Sequence, residues 1–376
     1  MKKRKVKKIL MICLALVSAT LSSCMKDDEL WDRETEGISG SALGLFIVNE
    51  GNFMYNNASL SYYDTESREV YNDIFFNTNG LPLGDVASSM TINDSLAWIV
   101  LNNSGKINIM NTSTFEYAGK VTGLTSPRHI HFISDSKAYV SDLYAQAITI
   151  IDPGSREISG YIDVSNNASP YGQHPTEQMV SYGRYVFVSC WSFDNKILVI
   201  DSNTDKLVDS IEVLIQPRSM VIDRYSKIWV LSDGGYEGSP YGYEAPGLIR
   251  IDAELRTVEK VWRFETGDNP ASLTLNGSRD TLFYINRHVY RMPVHQAGSE
   301  PELFIESPYT GSAAGGFYAL GIDPGSSEVY IADAIDNAQT GRVYRYSAAG
   351  TLADSFKTGI IPGSFCFSRP ATPAGE

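Results

Sequence analysis

From Gly44 onward the chain repeats one short pattern seven times, and only the first copy lacks its opening strand. Six segments open a copy alike: VASSMTIN from Val86, SPRHIHFI from Ser126, HPTEQMVS from His174, QPRSMVID from Gln216, NPASLTLN from Asn269 and GFYALGID from Gly316. IPGSFCFS from Ile361 has the same shape, with almost nothing after it. A seven-part ring whose first part is completed by its last strand is an all-β, seven-bladed β-propeller. Closure in this way leaves no long exposed sheet edge.

The first residues do not belong to the ring. MKKRKVKK is a basic region, ILMICLALVSATL is an apolar run too short to span a bilayer comfortably, and Leu21-Ser22-Ser23-Cys24 reads as a lipoprotein cleavage box. The expected organisation is a signal peptide over 1–23, a lipidated Cys24 with a polar tether over 24–43, and the propeller over 44–376. All six basic residues of the signal (Lys2, Lys3, Arg4, Lys5, Lys7, Lys8) leave with it, so the mature chain keeps 25 Lys and Arg against 44 Asp and Glu, a net charge of −19. That balance argues against nucleic acid as partner, and against an anionic membrane except through the lipid anchor, because both need a basic face. Cys190 and Cys366 fall on blades far apart on the ring and are expected to be free, buried thiols.

Each copy gives four short apolar-alternating runs. In the third they are SPRHIHFI, KAYVSD, AITIID and REISGYIDV. In an up-and-down blade the first-to-second and third-to-fourth turns share one face of the ring, and the second-to-third loops and blade-to-blade links share the other. Turns of the first kind are terse. Asp64, Asp152, Asp201 and Asp252 recur before them, where an Asp side chain folds the chain by accepting its own backbone N–H groups, so this row of carboxylates reads as turn chemistry.

The opposite face carries longer loops crowded with aromatics and amides. The candidate ligand-binding residues there are Asn52, Phe53, Tyr55, Asn103, Arg128, Tyr144, His174, Trp191, Phe193, Arg218, Tyr236, Tyr241, Tyr243, Asn286, Arg287, Phe317 and Tyr318. Such a mouth suits a large, partly flat ligand edged with hydrogen-bonding groups. Catalytic signatures are missing: the five histidines have no zinc-ligand spacing, no serine sits in a GxSxG elbow, and no Gly-rich phosphate loop runs from strand into helix. No resident cofactor, metal or catalytic residue is expected. A propeller lactonase would need a calcium cage, for which Glu50, Asn102 and Asp333 are the available side chains.

AITIIDPGSREISGYIDV and KILVIDSNTDKLVDSIEV resemble the repeat of YncE-like propellers. The lipoprotein opening with its acidic MKDDEL run, GLFIVNEGNF leading into SLSYYD, and the later SPRHIHF and QPRSMVID together resemble the BtuG-type surface lipoproteins of Bacteroidetes. The resemblance implies a non-enzymatic, lipid-anchored protein on the outside of the outer membrane. Such a protein captures cobalamin or related corrinoids and passes them to a TonB-dependent outer-membrane transporter of the BtuB-like kind. A glycan-binding surface lipoprotein and a calcium-dependent propeller lactonase are the alternatives.

Overall fold

A computed structural model of the chain describes residues 40, 43–169, 171–295, 298–309 and 316–368. The expected signal peptide, Cys24 and nearly all of the expected 24–43 tether lie outside the described residues. Seven four-stranded antiparallel sheets form the ring. From the innermost strand outward, blade one is β28 (Pro362–Ser368), β1 (Gly44–Asn49), β2 (Ser59–Asp64) and β3 (Val70–Tyr71). Blade two is β4 (Ala87–Asn93), β5 (Leu96–Leu101), β6 (Lys106–Asn111) and β7 (Tyr117–Thr122); blade three is β8 (Pro127–Ser134), β9 (Lys137–Asp142), β10 (Ala147–Asp152) and β11 (Glu157–Asp163). Blade four is β12 (Thr176–Tyr182), β13 (Tyr185–Cys190), β14 (Lys196–Asp201) and β15 (Lys206–Glu212); blade five is β16 (Pro217–Ile222), β17 (Lys227–Ser232), β18 (Gly247–Asp252) and β19 (Thr257–Arg263). Blade six is β20 (Ala271–Leu275), β21 (Thr281–Asn286), β22 (His288–Pro293) and β23 (Glu302–Ile305); blade seven is β24 (Phe317–Ile322), β25 (Val329–Asp333), β26 (Thr340–Tyr346) and β27 (Leu352–Ile360).

The innermost strands neighbour one another around a closed circuit, β28 beside β4 and β24 beside β28. Closure is made where the repeat places it: β28 pairs with β1 from Gly44 opposite Ser368 to Asn49 opposite Pro362. Phe365 and Phe367 of β28 then pack on Tyr330 of blade seven, and Tyr63 stacks on Phe356 at 4.4 Å.

Burial explains the strand sequences. The second strands of blades two to five, such as LAWIVL and KIWVLS, are buried almost throughout because a neighbouring blade covers each face. Blade four meets blade five through Phe187 and Val199 against Met220 and Val230. The outermost strands bury one residue each in blades four and five, Ile211 and Trp262, and line their free edges with Lys, Asp, Glu and Arg, which discourages further strand pairing.

The terse turns behave as expected. Asp152 Oδ1 accepts the N–H groups of Gly154 (2.8 Å) and Ser155 (3.3 Å), Asp252 Oδ1 those of Glu254 (2.9 Å) and Leu255 (2.8 Å), Asp64 Oδ1 those of Glu66 and Ser67, and Asp201 Oδ1 that of Asn203. Two details differ from the sequence reading. A short helix, α1 (Ile74–Asn79), stands in the link between blades one and two, where only loop is expected, and buries Ile74 and Phe75. Both cysteines are free and Cys190 is buried, but Cys366 is only partly so, because β28 is an innermost strand that borders the central channel.

Candidate functional site at one mouth of the ring

All seven innermost strands carry the same irregularity just after their first residue. Pairing skips at Ala87/Ser89, Pro127/Ile130, Thr176/Met179, Pro217/Ser219, Ala271/Thr274 and Phe317/Ala319, and β28 skips between Pro362 and Ser364. Each skip is a β-bulge, which bends the strand and re-aims a side chain. The second residues of the seven strands are thereby Ser88, Arg128, Glu177, Arg218, Ser272, Tyr318 and Gly363. One residue per blade is delivered to the mouth where the long loops converge. At Gly363 a Cβ would meet the Glu50 carboxylate at 2.1 Å, so this glycine leaves room for Glu50 to take the seventh place.

Charge organises this floor. Arg128 forks onto Glu177, Nε to Oε2 at 2.7 Å and Nη2 to Oε1 at 2.8 Å, and His129 Nε2 stands 3.4 Å from the same carboxylate. Burial alone would raise Glu177, but Arg128 and His129 overcome it and hold the carboxyl at about 2. Glu50 goes the other way: burial raises it, against the Tyr318 hydrogen bond (3.1 Å) and the positive charges of Arg128 and Arg218. The Trp191 ring is contacted by two guanidiniums, Arg128 at 5.6 Å and Arg218 at 5.3 Å from its centroid. Its indole N–H donates to Asp233 Oδ2 at 3.0 Å, and burial raises that carboxyl too. Among the described residues Arg218 makes no ion pair. It opens onto a cavity of about 530 Å³ that Asp268, Asn286, Tyr309, Phe317 and Tyr318 also line.

An aromatic wall rises beside Trp191. Phe193 stacks on Tyr171 (5.6 Å, 24°), lies 4.5 Å from Tyr241 and meets Tyr236 edge-on at 6.5 Å. These rings come from the link between blades three and four and from the second-to-third loops of blades four and five, so no single repeat contains the wall. Tyr236 is 53% exposed.

Of the expected site residues, the structure brings Arg128, Trp191 and Arg218 together at the floor and Phe193, Tyr236 and Tyr241 in the wall. Asn286, Arg287, Phe317 and Tyr318 line the cavity with Arg218. Phe53 and Tyr55 are exposed on the blade-one loop and Tyr144 on that of blade three; with Tyr243 they make no ring stack among the described residues. Three are occupied in holding loops: Asn52 Nδ2 donates to the Asn337 carbonyl (2.6 Å), Asn103 Nδ2 to Asp85 (2.6 Å), and His174 Nδ1 lies 2.6 Å from Asp194 Oδ2. Sequence reasoning missed Glu177, Asp233, Asp194 and Tyr171 as site residues. Glu177 is the second residue of β12, as Arg128 is of β8 and Arg218 of β16, but HPTE has one more residue after its proline than SPR and QPR, so aligning the segments on the proline sets Thr176 in that place instead. Of the calcium-cage candidates, Asp333 accepts the Ile335 N–H and the Tyr309 hydroxyl, and Asn102 donates to Ser126 and to the Pro127 carbonyl.

Residues 43–359 match a family described as "Domain of unknown function (DUF5074)". The chain belongs to this family. No curated protein matches it. Among solved structures it is similar to a quinonprotein alcohol dehydrogenase-like protein from Bacteroides thetaiotaomicron, with a TM-score of 0.66 at 15% identity over 87% of this chain and 78% of that one. It is also similar to the periplasmic gluconolactonase of Pseudomonas aeruginosa (TM-score 0.63, 11% identity, 86% and 99% covered) and to a functionally unknown protein from Desulfotomaculum acetoxidans (0.63, 11%, 88% and 100%). At such identities these likenesses show a propeller and carry no activity with them.

Proposed function

We propose that this member of the family captures a corrinoid, cobalamin or a close relative, at the mouth floored by Arg128, Trp191 and Arg218, without catalysing a reaction. The observation that carries the reading is Trp191 under two guanidiniums beside the Phe193, Tyr171, Tyr241 and Tyr236 rings. A corrin is broad and rimmed with amides. An aromatic wall offers it apolar contact, and guanidinium and carboxylate groups offer its rim donors and acceptors. The same reading, with the lipobox ending at Cys24 and the resemblance to BtuG-type lipoproteins, sets the protein on the outer surface of the outer membrane, handing its ligand to a TonB-dependent transporter of BtuB-like kind. The test is direct. The purified full-length chain is mixed with cyanocobalamin and desalted; a coloured protein fraction is expected, and a colourless one overturns the reading. Stacked rings also suit sugars, so binding on a glycan array without retention of cyanocobalamin would assign the mouth to glycans.

A further inference from the structure

Beside the aromatic wall, three side chains of different chemistry converge from separate stretches of chain. His174 lies on the link into β12, Cys190 ends β13, and Asp194 sits in the loop between β13 and β14. One donor atom from each falls within 4.8 Å of the others, the one such group of three among the described residues. We propose that His174, Cys190 and Asp194 bind a single borderline-soft divalent cation, zinc above all, on the wall side of the mouth.

The loop is folded to bring the donors together. Ser192 and Phe193 adopt φ of 67° and 69°, two consecutive left-handed residues without a glycine, so Cys190 and Asp194 turn back toward one point. His174 is fixed from behind by its N–H to the Val164 carbonyl at 3.0 Å, and the Asp194 carbonyl is held by the Gln216 N–H at 2.7 Å. The Asp194 carboxylate keeps its second oxygen on the Asn195 N–H at 2.7 Å, the outer hydrogen bond that orients a ligating carboxylate.

Charge then selects the ion. Asp194 and His174 side chains are only 8% and 15% exposed, and Cys190 is fully buried. A dication bound by thiolate, carboxylate and neutral imidazole makes the group net neutral. Burial and the Asp194 charge push the Cys190 thiol up, against the Leu198 backbone N–H, so the metal itself must displace the thiol proton. Sulfur with nitrogen and oxygen suits zinc and cobalt rather than calcium or magnesium. Around a tetrahedral zinc the donors stand roughly 3.4 Å apart. The 2.6 Å His174–Asp194 contact would therefore open by about 0.8 Å and the longest separation would shorten. On binding, the thiol releases its proton to solvent and no electron moves. His174 and Asp194 also line a cavity of about 530 Å³ with Phe193 and Tyr241, which leaves the fourth position open to water or ligand.

The test uses metal alone, so its outcome is separate from corrinoid capture. The reduced, metal-stripped full-length chain is titrated with Co2+. One ion per chain is expected, with a thiolate-to-cobalt charge-transfer band that Zn2+ removes. Cys190→Ser should abolish the band and weaken Zn2+ binding by more than the ~10–100-fold that loss of an outer partner costs; Cys366→Ser should change neither. His174→Gln, at the more exposed ligand, gives a second variant should Cys190→Ser fold poorly. X-ray absorption at the zinc edge of the wild-type chain is expected to show one sulfur among nitrogen and oxygen neighbours. No saturable binding, a band that survives Cys190→Ser, or a zinc shell without sulfur each overturns the site.

Discussion

The two faces of this ring are built from the same repeat and use their polar residues in opposite ways. On the turn face each carboxylate accepts N–H groups of its own turn, as Asp152 does from Gly154 and Ser155, and so stabilises the fold directly. On the mouth face the bulged strand starts aim Arg128, Glu177, Arg218 and Tyr318 at one another, and burial raises the Glu50 and Asp233 carboxyls. Polar groups held where burial disfavours their charged forms cost stability, and such groups cluster where proteins bind or react. The difference between the faces is thus a physical reason to seek function at the mouth, over and above the length of its loops.

Five changes probe that contrast, beginning with one that removes both faces at once. Deleting residues 360–376 takes away β28 and with it ring closure; the chain is expected to lose its cooperative melting transition, and a sharply melting soluble monomer would break the closure account. Glu177→Gln strips the partner from Arg128 in a buried fork and is expected to cost about 3 kcal/mol in chemical denaturation at neutral pH. Glu177 has a folded pKa of about 2, below its ordinary 4.5, so its contribution is complete above pH 4.5 and lost as pH falls toward 2. In the variant the slope of stability with pH should flatten in that window. Glu50 has the reverse sign: its folded pKa is raised, so it opposes folding as pH rises through and above 4.5, and Glu50→Gln should raise the melting temperature at pH 7 while changing little below pH 4. Trp191→Ala is expected to weaken cyanocobalamin binding by about 2 kcal/mol, roughly 30-fold, in a fluorescence-independent assay such as equilibrium dialysis. Smallest is Asp152→Ala on the turn face, with a stability loss of about 1 kcal/mol in urea and no change in ligand binding.

The blades, their order and the closing strand were legible because each rests on local periodicity and on one displaced segment, IPGSFCFS. The turn carboxylates were legible for the same reason, since Asp152 and Asp252 act within three residues of themselves. The floor of the mouth was only half legible. Arg128, Trp191 and Arg218 stand out by residue type, but a bulge exists only in the pairing of two strands, and no single strand announces that its second residue will turn into the channel. Glu177 sits in TEQMVS as one more surface-like glutamate, and its fork with Arg128 joins residues 49 apart in sequence. The wall is less legible still: Tyr171, Phe193 and Tyr241 meet across three connections.

The central claim is that ligand capture belongs to the mouth and depends on the Arg128–Trp191–Arg218 floor. Calorimetric titration of cyanocobalamin into the full-length wild-type chain, Trp191→Ala and Asp152→Ala tests it in one series. The account expects saturable binding at one site per chain for wild type and Asp152→Ala, and affinity weakened roughly 30-fold for Trp191→Ala with its melting transition intact. Wild-type binding that Trp191→Ala leaves unchanged, or no heat of binding from the wild-type chain, would contradict it.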